Sequence, residues 1–151
     1  MTKAKYIRGP KRKIEKRYNQ ADSPITVSTT YNTQDIWACT EDETLTRIVG
    51  NLSVAPVSAN GSAKFAIVLR RAGLAVLTTI RTDLTGRKAE VLLWVGTVTF
   101  KAGQLTCIQM DIDVRGQRKL EATDDIVIAY HSDANSVAEF TWAFNIFSKK
   151  A

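Results

Sequence analysis

Residues 137–148 read VAEFTWAFNIFS, and every second side chain from Ala138 is apolar: Ala138, Phe140, Trp142, Phe144 and Ile146. Period-two alternation places successive side chains on opposite faces of a strand, so this stripe is one face of a β-strand turned toward a core. A strand this aromatic belongs inside a sheet, because at an open edge it would invite pairing with other chains. Residues 107–114 (CIQMDIDV) follow the same rule, with Ile108, Met110, Ile112 and Val114 inward and Gln109, Asp111 and Asp113 outward.

Outward from these two segments the same language recurs. Residues 24–31 (PITVSTTY) alternate apolar and hydroxyl side chains, residues 35–40 form a short apolar run around Trp37, and residues 44–54 (TLTRIVGNLSV) form a longer strand. Gly50 within that strand marks a bulge or a close backbone contact. Residues 55–61 are a turn rich in Pro, Ser, Asn and Gly. Strands are expected at 63–71 and 74–81, separated at Gly73, with a polar loop at 82–88. Residues 90–101 (EVLLWVGTVTFK) are apolar on both faces, which predicts a central strand. Residues 125–130 complete the set.

Helical periodicity of any length is absent from this pattern. Eight or nine closely spaced strands without βα alternation specify an all-β antiparallel sandwich or barrel, and a body of about 130 residues suits a single jelly roll. The expected core holds Val27, Trp37, Ile48, Leu52, Phe65, Ile67, Leu93, Val95, Ile112, Ile126, Ile128, Phe140, Trp142 and Phe144.

Charge is distributed very unevenly. The first twenty residues, MTKAKYIRGPKRKIEKRYNQ, carry eight Lys and Arg against Glu15, a charge of +7. The other 131 residues carry thirteen cations against fourteen acids, a charge of −1. A dense cationic run repels itself and stays extended or forms a short solvated helix, here over residues 11–18 behind Pro10. The division is therefore a basic arm at 1–22 and a jelly-roll domain at 23–151. Nucleic acid is the leading partner, through Lys3, Lys5, Arg8, Lys11, Arg12, Lys13, Lys16 and Arg17. A localisation signal, an anionic-membrane tether and a solubility tag are the competing uses of such a tail. Tyr6, Ile7, Ile14 and Tyr18 are too sparse for a membrane-facing side, and no run reaches the length of a membrane span. The basic start has no apolar segment behind it of the kind a secretory signal carries.

The chemistry of the body reads as structural. Cys39 and Cys107 match no metal or redox spacing and are expected to be buried free thiols. The lone His131 leaves little room for histidine catalysis, and no glycine-rich phosphate loop or nucleophile turn occurs. No enzyme activity, cofactor or metal is expected. Carboxylates cluster at Glu41, Asp42 and Glu43, at Asp111 and Asp113, and at Asp124 and Asp125, as solvated acids or a hard-cation site. Body cations, among them Arg47, Arg70, Arg71, Arg81, Arg87, Lys88, Arg115, Arg118 and Lys119, either pair with those acids or extend the basic surface. The aromatics Trp37, Trp94, Phe100, Phe140, Trp142 and Phe144 are expected in the core more than on a base-stacking platform.

Three segments taken together carry a resemblance: TLTRIVGNLSV (44–54), EVLLWVGTVTF (90–100) and DIDVRGQRKLEATDDIVIAY (111–130), followed by a terminal aromatic strand ending FSKK. Over residues 35–150 the chain resembles the capsid proteins of small circular single-stranded DNA viruses that encode a replication initiator. The resemblance implies one jelly roll that self-assembles into a closed, icosahedral shell, with the basic arm on a packaged single-stranded DNA genome. It also implies residence in the virion, and in host nucleus or cytoplasm during assembly. This arm is shorter than is common in that family and less rich in arginine. A shell of sixty copies would carry on the order of 420 arm charges, enough for some hundreds of phosphates, so binding is expected to be non-specific and salt-sensitive. The alternatives are a non-viral β-barrel that binds single-stranded nucleic acid and, more remotely, a jelly-roll enzyme or lectin.

Overall fold

The computed structural model describes residues 14–57, 59–70, 90–133 and 137–150. They form nine strands: β1 (Ile14–Gln20), β2 (Ile25–Val27), β3 (Asn32–Ala38), β4 (Glu43–Pro56), β5 (Gly61–Arg70), β6 (Glu90–Phe100), β7 (Thr106–Leu120), β8 (Asp125–Ser132) and β9 (Ala138–Lys150). One sheet runs β1-β9-β4-β7, with β2 also paired to β9, and the second runs β3-β8-β5-β6. Every pairing is antiparallel. The first strands lie beside the last, and each sheet draws strands from both halves of the chain. That order is two interlocked Greek keys, a jelly roll.

The core lies between the sheets. From the first come Leu45, Ile48, Leu52, Met110, Ile112 and the whole stripe of β9; from the second, Phe65, Ile67, Leu69, Ile126 and Ile128. Phe140 ties the layers together: its ring meets Phe65 at 5.1 Å and Tyr130 at 4.7 Å between centroids, edge to face in both cases. Gly50 is required by close approach, since a Cβ there would strike the Ala143 carbonyl and come within 2.6 Å of the Phe144 ring. The bulge of β4 lies elsewhere, between Leu45 and Arg47. Lys101 and Gln104 close the β6–β7 turn at 3.0 Å, with Gly103 supplying the positive φ of 76°.

Several expectations change. Residues 14–20 form a strand hydrogen-bonded to β9, where an extended tail or a short helix over 11–18 is expected, so the sheet takes seven residues assigned to the arm. The 24–31 segment keeps only the three residues of β2 as strand. Among the described residues β6 lies at the end of its sheet, where a central strand is expected; Leu92 and Val95 pack on the outer side of that sheet with the buried Ala66, Val68, Val127 and Ala129. Val95 therefore belongs to that outer cluster, while Trp37 and Leu93 are partly buried against the main core. Cys39 is buried, but Cys107 is exposed. The strand expected at 74–81 and the loop at 82–88 lie outside the described residues.

Candidate nucleic-acid and assembly surfaces

Strand β1 fixes where the cationic segment joins the sandwich. Its residues pair with β9 from Ile14↔Lys149 to Gln20↔Ala143. Alternation then separates two neighbouring cations. Arg17, opposite the inward Ile146, turns into the sandwich; Lys16, opposite Phe147, turns out.

The inward guanidinium is fully engaged. It donates to Glu43 Oε2 and Ser148 Oγ at 3.0 Å each, to Glu15 Oε2 at 2.9 Å, and to Glu43 Oε1. It also stacks over the Trp37 ring, 4.9 Å from its centroid. The Glu43 side chain is completely buried, so this pair neutralises a carboxylate that would otherwise be stranded out of water. The Glu43 hydrogen bond, and after it the nearby negative charge, raises the Arg17 pKa further against the opposing effect of burial. Cys39 sits beside the pair, donating to the Glu41 carbonyl at 2.7 Å; burial pushes its thiol pKa up, which keeps it a thiol.

The other acid clusters are engaged in the same way. Arg47 grips Asp111 with Nε at 2.7 Å and with Nη2, and the hydrogen bond from Arg47 draws the Asp111 pKa down. Arg70 holds Asp125 at 3.0 and 2.6 Å and reaches Asp35 at 3.4 Å. Asp35 has its pKa raised, by burial first and by the charge of Asp125 second. Each cluster thus gives a carboxylate to an arginine, and among the described residues no three metal-binding side chains converge.

Of the eight arm cations named from sequence, Lys3, Lys5, Arg8, Lys11, Arg12 and Lys13 lie outside the described residues. Lys16 is exposed, and Arg17 is committed to Glu43. Sequence reasoning missed the surface around Lys16. Ile14, Lys16 and Tyr18 share the outer side of β1, facing Lys149, Phe147 and Asn145 of β9. Ile14 and Tyr18 are 57% and 60% exposed. Period two in IEKRYNQ was the available signal, hidden by the density of charge.

A second surface lies at the opposite end of the same sheet. Val57, Leu105 and Val137 are exposed where β4 ends and where β7 and β9 begin. The Val57 amide donates to the Val137 carbonyl at 3.0 Å, and Leu105 directly precedes Thr106, which pairs with Val54.

No family model matches the sequence, and no curated protein matches it. Among solved structures, the Tobacco streak virus coat protein dimer is 15% identical over 91% of this chain and 86% of its own, with a TM-score of 0.43. The BFDV capsid protein 60-mer is 10% identical over 92% and 94%, at 0.37. A family 11 carbohydrate-binding module from Clostridium thermocellum is 12% identical over 95% and 86%, also at 0.37. At such scores the fold assignment rests on the strand order itself.

Proposed function

We propose that this protein is a viral coat subunit, which self-assembles into a closed icosahedral shell and packages a single-stranded DNA genome through its cationic N-terminal segment. The observation that carries the reading is the segregation of charge onto a segment whose last residues are β1, a strand hydrogen-bonded to β9 at one side of the first sheet. A polyanion held by such a segment stays outside the core while the subunit remains rigid. β1 belongs to the sheet, and six of the eight cations precede it in sequence. The exposed Val57, Leu105 and Val137 give one end of the jelly roll an apolar surface suited to contact with further copies. The resemblance of the 44–54, 90–100 and 111–130 segments to capsid proteins of circular single-stranded DNA viruses agrees with this reading, which needs no enzyme activity or cofactor. Such a subunit resides in the virion, and in host nucleus or cytoplasm during assembly.

Particle size and salt dependence test it together. The purified protein is expected to elute near a megadalton, as about sixty copies require, and to give closed particles by electron microscopy. Replacing Lys3, Lys5, Arg8, Lys11, Arg12 and Lys13 by glutamine in the full chain should flatten the salt dependence of single-stranded DNA binding by about 3–4 log units per decade of salt. A particle of tens of kilodaltons with that slope intact would make the protein a single-stranded nucleic-acid-binding module. An unchanged slope would remove the arm from the mechanism.

A further inference from the structure

We infer that the outer face of the first sheet, beside β1, is a second nucleic-acid contact surface, selective for unpaired bases. This rests on the nucleic-acid reading above and adds a place and a chemistry to it. The β1–β9–β4 register sets Ile14, Lys149 and Thr44 in one row, and Lys16, Phe147 and Arg47 in the next. Tyr18 begins the row after that, opposite Asn145. Lys16 and Lys149 stand on the same face as diagonal cross-strand neighbours, about 7–8 Å apart at their backbones. Neither forms an ion pair with a described residue. They lie at the point where the cationic arm enters the sheet, so a phosphate chain leaving the arm meets them next.

Tyr18 adds a ring to this charge. Its hydroxyl donates to Gln20 Oε1 at 2.9 Å, two residues along the same face, which orients the ring while leaving Tyr18 60% exposed. An exposed, oriented ring beside ammonium groups that no described acid pairs is the combination that stacks a base while its phosphates are neutralised, and only an unpaired base presents a free face. Phe147, half-buried, is the apolar floor between Lys16 and Arg47, whose guanidinium lies 5.9 Å from the ring centroid. The acids of this face stand away from the patch. Asp111 and Asp113 are on β7, separated from β1 by the two strands β9 and β4, with Asp111 held by Arg47, and Glu139 is at the far end of β9. The described acids of the face are thus confined to β7, where Lys119 accompanies them in the row of Lys149 and Thr44, and to the far end of β9, which leaves the β1 side the acid-free part of the face for a polyanion.

Binding by the full chain is compared for oligothymidylate and an abasic strand of equal phosphate count, each about twenty nucleotides long. The native protein should prefer oligothymidylate by about tenfold. Tyr18→Ala should remove the preference, and Tyr18→Phe should keep it. Lys16→Gln with Lys149→Gln should lower the salt slope on both strands by about 1.4. Equal binding of the two strands by the native protein, with an unchanged slope in the double variant, overturns the inference. If neutralising the six arm cations still flattens the slope, the arm reading survives that failure. The converse result, with the slope lost only in the double variant, would overturn the arm and leave the face.

Discussion

The two outer faces of this sandwich differ in their relation to water. On the β3-β8-β5-β6 sheet the outward Ala66, Val68, Val127 and Ala129 are buried, packed with Leu92 and Val95. On the β1-β9-β4-β7 sheet the outward positions include Lys16, Tyr18, Asn51, Gln109 and Asp111, all exposed. The outer side of the second sheet thus carries a dry cluster, bordered by the exposed Asp35, Thr97 and Thr99, where the first sheet's outer side is wet. Strand patterning alone does not separate them, because the dry face makes its strands apolar on both sides, as full burial in a sheet centre does.

The largest expected effect comes from placing one charge on each face. Val68→Lys puts an ammonium where no water reaches and should cost at least about 3 kcal/mol in urea unfolding. Val49→Lys, on the half-buried outer side of β4, should cost less than about 1 kcal/mol. Equal costs would break the comparison.

A smaller effect separates the neighbours Lys16 and Arg17. Arg17→Ala strands the buried Glu43 carboxylate and should destabilise by about 2–4 kcal/mol, with part of the loss recovered when Glu43→Gln is added. Lys16→Ala should stay within about 0.5 kcal/mol, while still weakening nucleic-acid binding. A stable Arg17→Ala protein would mean that the pair does not secure β1.

The smallest effects have opposite signs on the two sheets. Asp35 has a raised pKa in the folded state, so its ionisation opposes folding as pH climbs above the ordinary carboxylate value. Asp35→Asn should stabilise at neutral pH by less than about 0.5 kcal/mol, since the group is largely solvated, with no difference left once pH falls below the ordinary carboxylate value. Asp111 has a lowered pKa, so its contribution is present above the ordinary value and is lost as pH falls through the folded one. Asp111→Asn should therefore destabilise at neutral pH and match the native protein in acid. Thermal unfolding across pH 2–7 reads both, and shifts of the same sign would mean that one of these environments is misassigned.

Much of the architecture was legible because burial on one face leaves a period-two trace. The β9 stripe, the inward side of β7 and the constraint at Gly50 all follow from that trace or from a glycine interrupting it. Strand β1 was not legible: its order depends on pairing with residues some 130 positions away, and its charges mask its alternation. The exposure of Cys107 could have been read, since it shares parity with Gln109 and Asp111 on the outward side of β7. The candidate surface around Lys16 and Tyr18 was out of reach until β1 was known to be a strand. The arginine–carboxylate pairs are equally non-local, joining partners on strands remote in sequence, which charge counting cannot match.

The position of β9 also orders events during synthesis. It is made after the other eight strands, yet β1, β2 and β4 all hydrogen-bond to it. Until the ribosome has passed residue 150, β1 has no partner to hold Arg17 against Glu43, and the first sheet lacks one of its two inner strands. Nearly all pairing is long-range, so closure is slow compared with a helical domain of this size. The cationic segment consequently acquires its fixed place on the subunit only when translation of the strands is complete. A nascent chain holds the arm's charge but not the surface that positions it.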